Sequence, residues 1–452
     1  MTAAPHSSVA RFLSADVATD IAVTRAVTRP MAARPGRVWW IAFFLSLVGT
    51  LWFAVTIYWI FSQGIGIWGL NTSVVWGFAI ANYVWWIGIG NAGTLISSLL
   101  LLTRQPWRAS INRFAEAMTL FAVAIAGIMP IIHLGRPLYF YWLAPLPNTM
   151  DLWPQWRSAL VWDFWAILSY LLFSILFWYH GLIPDLATMR DRARGPIGRV
   201  LYGIGAMGWR GSARHWRHYQ LLHTAMAALA VPLVCSVHSI VGLDFAASLE
   251  PGWNAGLFPP YFVVGAMYSG FAMVVVLCIA LRWGFRLERL ITHAHFEAMA
   301  KIMLASSIVM GLSYGTLYFV SWYGGEPAER DLTAFFFTGP YAWMYAVLLF
   351  CNVLAPQVLW LRGARRNLLC LFVIAVIINI GMWFERILIT WSTLSHDFAT
   401  SLWRVFKPTF WDWSLLLSPF GLFALLFLLF VRMVPPVSMS DVRELAHEES
   451  AS

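Results

Sequence analysis

Apolar residues in this chain run in blocks of 20 or more positions, instead of alternating or recurring at the spacing of an amphipathic helix. Ten blocks have the length and purity of membrane-spanning helices: residues 39–62, 73–103, 114–133, 159–180, 219–240, 261–281, 296–322, 335–361, 368–393 and 413–434. A bilayer core about 30 Å thick selects such blocks, because backbone polar groups inside it must be paired within the segment that crosses. The pattern predicts an all-α polytopic membrane protein with ten transmembrane helices. Residues 39–434 form the transmembrane domain, residues 1–38 a cytoplasmic N-terminal arm and residues 435–452 a cytoplasmic C-terminal tail. The first apolar block is too long for a signal peptide and follows five arginines and two aspartates, so the arm is expected to be retained.

Composition supports this reading: 60% of residues are hydrophobic and 11% charged, where a soluble domain carries about a quarter charged residues. An ordinary soluble enzyme is excluded. The excess of 30 Lys and Arg over 21 Asp and Glu is best read as topology. Arm, tail with the adjoining Arg432 at the end of the last span, and the even-numbered loops hold 23 of the basic residues and the opposite loops hold 5, which places both termini in the cytoplasm. The Trp- and Pro-rich loops after spans three, five and nine then face outward as a docking surface. Trp39, Trp40, Trp85, Trp86, Trp142, Trp153, Trp156, Trp403, Trp411 and Trp413 read as anchors at headgroup depth. The run Gly88-Ile89-Gly90-Asn91-Ala92-Gly93 reads as a site of close helix packing.

Chemistry narrows next. The cysteines, Cys235, Cys278, Cys351 and Cys370, are scattered through apolar blocks with no metal-ligand spacing. No iron-sulfur cluster, covalent haem or other metal site is expected in this chain, so redox work would borrow a partner's cofactor. A bis-histidine haem needs facing pairs on two helices. His223 and His238 share the fifth span, whereas the third offers only His133 and the fourth only His180, so a two-haem pattern cannot be completed.

Ionisable residues inside a bilayer are costly and therefore functional candidates. His133 ends the third span, Asp163 lies one turn into the fourth, His238 and Asp244 close the fifth, and Glu385-Arg386 come roughly 25 Å along the ninth at 1.5 Å per residue. All arrive at one depth near the outer leaflet, where a cation among carboxylates and histidines suits a reaction that releases protons. Glu116, His180, His223, Glu297 and Lys301 lie in the inner half. They are either interfacial groups or parts of a proton path formed by Glu116, His223, Glu297 and Lys301.

The run His133-Leu134-Gly135-Arg136-Pro137, Asp163 one helix later, and Gly381-Met382-Trp383-Phe384-Glu385-Arg386-Ile387-Leu388-Ile389 together resemble the NrfD/PsrC family of quinone-interacting membrane subunits. The likeness covers residues 38–434, and the ten-span form is most similar to the ActC subunit of alternative complex III. The resemblance implies two four-helix bundles, helices 2–5 and 6–9, with helices 1 and 10 peripheral. It implies menaquinol oxidation near the periplasmic side of a bacterial inner membrane, in a respiratory or photosynthetic complex. Electrons would pass to a periplasmic iron-sulfur subunit and onward to multihaem c-type cytochrome subunits, alongside other membrane subunits. It assigns the quinol site to His133, Asp163, Asp244 and Arg386, with Arg136 and His238 beside them. His133 and Asp163 would accept hydrogen bonds from a quinol hydroxyl, Arg386 would hold a neighbouring carboxylate ionised and Asp244 would pass protons outward. Two alternatives share these motifs: the quinol-oxidising anchor of a molybdenum reductase acting on polysulfide or sulfoxide, and a proton-conducting or structural subunit.

Overall fold

The computed structural model describes residues 12–14, 17, 19–143, 156–324 and 326–451, and every regular element among them is helical. Ten helices are long and apolar enough to cross a membrane. They are α1 (Arg37–Gln63), α2 (Phe78–Leu102), α3 (Asn112–His133), α4 (Ala159–Arg192), α5 (Ala213–Ala246), α6 (Phe258–Phe285), α7 (His293–Gly324), α8 (Ala342–Trp360), α9 (Leu368–Leu394) and α10 (Phe410–Met433). The chain is a multi-pass integral membrane protein. The end carrying the α3–α4, α5–α6 and α9–α10 connections is called upper below.

Helices α2, α3, α4 and α5 pack in a ring, and α6, α7, α8 and α9 in a second ring, with α2 and α5 set against α6 and α2 also against α9. Helices α1 and α10 pair with each other on the outside. Helix α2 is the pivot: 89% of its apolar window is buried by protein, against 17% for α1. Small residues make this possible, since packing between helices in lipid depends on backbone approach. A Cβ on Gly93 would lie 1.9 Å from the Ala115 carbonyl oxygen of α3, and one on Gly270 of α6 would lie 1.6 Å from Ala92 Cβ.

Indoles tie α2 to α9 across the ring boundary. Trp85 Nε1 donates to the Asn379 carbonyl (3.0 Å), Trp383 Nε1 to Asn82 Oδ1 (3.0 Å) and Trp391 Nε1 to the Gly77 carbonyl (3.1 Å). Trp85 and Trp86 are therefore not headgroup anchors, being 5% and 1% exposed. They belong to a helix surrounded by protein, whereas Trp40, Trp156, Trp403 and Trp413 are exposed near helix ends. Trp153 lies outside the described residues.

The expected span 335–361 is two helices. Pro327–Thr338 ends at Gly339-Pro340, since proline lacks the N–H and clashes with the preceding turn, and α8 starts at Ala342. Within α8, residues Phe350–Leu354 form a π-helical turn. Pro356 has no N–H to give the Asn352 carbonyl, so the Tyr268 hydroxyl of α6 donates to it instead (3.0 Å). The two flanking segments also carry helices. Asp20–Ala32 precedes α1, and Met439–Ala451 packs beneath the lower end of the first ring.

Candidate functional site

The upper end of the first ring gathers one polar side chain from each of its helices: Tyr83 (α2), His133 (α3), Asp163 (α4) and Asp244 (α5). His133 is the last residue of α3, which stops because Leu134 is followed by Gly135 at φ +80° and by Pro137. Asp163 sits one turn into α4 and is 4% exposed; His133 is 3% exposed. Asp163 neighbours Asp244 and Tyr83, and the His133 ring meets the edge of Tyr83 with centroids 6.3 Å apart.

These groups are buried yet unsatisfied. Both His133 ring nitrogens, Asp163 Oδ1, Asp244 Oδ1 and Tyr83 Oη have no hydrogen-bond partner among the described residues. Leaving a buried polar group unpaired costs about 1–3 kcal/mol, so a concentration of them makes this end of the ring a candidate site. Roughly two turns deeper, the Asn91 side-chain amide of α2 meets His238 Nδ1, and His238 Nε2 is buried and also unpartnered among the described residues. Arg136 is exposed and lines a groove of about 620 Å³ with Ile65, Leu134, Tyr139, Ser158 and Val161; Leu134 follows His133 and Val161 precedes Asp163 by two residues, but neither His133 nor Asp163 lines the groove itself.

Arg386 is placed elsewhere than among Asp163 and Asp244. Its guanidinium lies 2.7 Å from Glu385 Oε1 and stacks on Phe262 at 4.0 Å, within electrostatic range of His238. Glu385 also accepts from Tyr261 (2.5 Å) and from Tyr314, whose hydroxyl receives the Asn352 amide released by the π-helical turn (2.9 Å). Both members of the ion pair are buried, at 3% and 2% exposed. The second ring thus contains a charge cluster at the same end in which both carboxylate oxygens of Glu385 are bonded, while Arg386 Nη1 and Asn352 Oδ1 have no hydrogen-bond partner among the described residues.

Of two residues central to this geometry, Tyr83 is absent from the sequence-derived candidates, and Glu385 is among the ionisable candidates without a role at the quinol site. Tyrosine at a helix end reads as an interfacial residue, so Tyr83 has no distinguishing signal. Glu385 has one: it is the sole acid between Leu332 and His396.

The inner-half candidates separate. Glu116 and His223 belong to a lower cluster of the first ring, where Arg113 pairs with Asp185 (3.1 Å, both 2% exposed) and His180 faces His223 at 3.4 Å. Asp441 of the C-terminal helix closes it, bonding Arg108 (3.2 Å) and Asn112 (2.7 Å). Burial alone would raise the Asp441 carboxyl. Arg108, then His223, Asn112 and Arg113 outweigh that and hold it below the usual carboxylate range. Glu297 and Lys301 lie apart on α7, in a surface network with Arg366 (3.7 and 3.8 Å). Among the described residues, no group of three or more His, Cys, Asp or Glu is arranged to hold a metal ion.

Comparison with known proteins agrees with this architecture. The chain is 27% identical over 213 residues to a membrane subunit of the dimethyl sulfoxide reductase type from Halobacterium salinarum, covering 47% of this chain and 44% of that protein. It is 23% identical over 242 residues to a selenate reductase subunit from Mesobacillus selenatarsenatis, covering 52% and 54%. The chain thus spans about half the length of these curated relatives. The family pattern described as polysulphide reductase, NrfD, matches residues 67–394, which take in both rings and leave out α1 and α10. This chain belongs to the NrfD family of membrane subunits.

Proposed function

We propose that the chain is the quinol-oxidising membrane subunit of an electron-transfer complex, with its site at the upper end of the first ring. The observation that carries this is the convergence of Tyr83, His133, Asp163 and Asp244, each with a buried side-chain atom that has no hydrogen-bond partner among the described residues, at the end where a groove lined by Leu134, Arg136 and Val161 opens. A quinol is an apolar ring and tail whose two hydroxyls must each lose a proton as electrons depart. The groove beside Arg136 admits the tail, and His133 and Asp163 take the hydroxyl hydrogen bonds. Asp163 accepts a proton, Asp244 as its neighbour receives it next, and the second hydroxyl uses the same pair after release. His238, whose Nε2 is unpartnered among the described residues, offers a further hydrogen-bonding group below them. Two electrons leave for each quinol, and their acceptor is an iron-sulfur cluster on a partner subunit. The Arg386–Glu385 pair lies beyond His238 and contributes a fixed field, instead of touching the ring.

This reading takes the upper end as periplasmic, as the loop charges indicate, in the inner membrane of a bacterium with menaquinol as substrate. Onward transfer to c-type haems follows the ten-span resemblance, with α1 and α10 as additions to the family core. The names of the relatives favour a second destination, a reductase of the dimethyl sulfoxide or selenate type fed from the same site. Proton movement through the first ring is favoured by hydroxyls at mid-height, where Thr94 and Ser174 bond at 3.2 Å and Tyr170 donates to the Gly90 carbonyl at 3.1 Å. Purification from native membranes tests the proposal, with quinol oxidation assayed on the intact complex. Co-purifying multihaem cytochromes support the first destination and a molybdenum protein the second. A complex that oxidises no quinol overturns the assignment.

A further inference from the structure

The upper end of the second ring holds a cavity of about 590 Å³ that quinol oxidation in the first ring does not use, within the size range of small-molecule sites. Its floor is the Glu385 cluster, reached through Tyr261 and Tyr314. Aromatic side chains in its walls include Tyr318, Phe336 and Tyr345, and the Tyr345 hydroxyl shares a 2.7 Å hydrogen bond with Ser392. Leu317 and Val320 of α7 open it sideways: Val320 is 57% exposed on the lipid-facing surface.

Charge decides what fits. Glu326 and Glu329 stand at the mouth and Glu385 at the floor, while among the described residues no Lys, Arg or His lines the space; Arg386, beside Glu385, is turned onto Phe262. A phospholipid phosphate or a carboxylate would meet like charge at both ends. A neutral planar ring could stack between the tyrosines, bond their hydroxyls through its oxygens and leave an apolar tail in the gap beside Val320. We propose that this cavity is a second binding site, specific for a neutral quinone-type ring and distinct from the first-ring site. This goes beyond the first-ring proposal and holds whichever partner receives the electrons.

The test uses the complex in native membranes, a photoreactive azido-naphthoquinone with a short prenyl tail, and peptide mapping of the cross-links. Cross-links are expected in two sets, one near residues 133–163 and one within 314–324 and 385–393. Leu317→Trp, which fills the cavity, and Val320→Trp, at an exposed position compatible with folding, should each lower the second set by about tenfold or more and spare the first. Unlabelled naphthoquinone should compete at both sets and diacylglycerol at neither. Labelling confined to 133–163 overturns the second site and leaves the first. Labelling confined to 314–324 and 385–393 supports the second site and removes the first. No labelling, or a second set that survives both tryptophan variants or yields to diacylglycerol, overturns the proposal.

Discussion

The two rings carry polar clusters at the same end, and the clusters are opposites in one respect. In the first, Tyr83, His133, Asp163 and Asp244 are buried with atoms that no described protein group satisfies. In the second, Glu385 receives two tyrosine hydroxyls and an arginine. The difference separates a site from a scaffold. Unpaired polar atoms are tolerable only where something else pairs them during function, whereas a carboxylate surrounded by donors is already at the end of its chemistry. Arg386, expected beside the catalytic carboxylates, is instead the counter-ion of its own sequence neighbour.

This contrast can be broken experimentally. The largest effect should come from Asp163→Asn, which preserves shape and removes a proton acceptor. Quinol oxidation by the purified complex should drop by about a hundredfold to ten-thousandfold while complex yield and thermal stability stay near the parent's. Equal turnover would show that the unpaired cluster is not the reacting one. Next comes Glu385→Gln, which leaves Arg386 as a buried charge without its counter-ion and should destabilise the chain by about 3–5 kcal/mol. Thermal unfolding in detergent reads this. The double variant Glu385→Gln with Arg386→Met should recover much of the loss, and a double variant no better than the single would show that charge compensation is not the role of the pair.

Two smaller effects sharpen the comparison. Trp85→Phe removes one of the indole bonds between rings and should cost about 1 kcal/mol, again by thermal unfolding. At the lower end, Asp441 has its carboxyl held below the unfolded value near 3.8. Its contribution is therefore present above that pH and lost as the medium acidifies through its lower folded value. The C-terminal helix should become protease-sensitive on such acidification, and Asp441→Asn should show that sensitivity already at neutral pH. A helix equally protected in both would mean that its apolar face alone holds it.

Membrane crossing was readable from hydropathy because lipid imposes one requirement on every span, and the ten apolar blocks correspond to ten helices. What hydropathy cannot weigh is a break that keeps the composition apolar. Gly339-Pro340 divides the eighth block, and the π-helical turn at Phe350–Leu354 follows from Pro356, yet neither lowers the average over a window. Trp85 and Trp86 misled for a related reason. Amphipathic rings serve equally at headgroups and at helix crossings, and the choice depends on neighbours that a single sequence does not display. Helix direction and residue depth were enough to bring His133, Asp163 and Asp244 to one end of the first ring, whereas His238 sits roughly two turns deeper, beside Asn91. Rotation about the helix axis was not available, and rotation is what turns Arg386 toward Tyr261 and Phe262 and away from Asp163.

The crossing at Ala92 and Gly270 bears on how the molecule can move. With no room for one additional carbon between α2 and α6, and three indoles stapling α2 to α9, the rings have no slip plane. Rocking of one half against the other, by which many transporters alternate access, would have to break this close packing and these three bonds, so coupling between the upper and lower clusters is expected to use side-chain rotation, proton position and field within the packed frame.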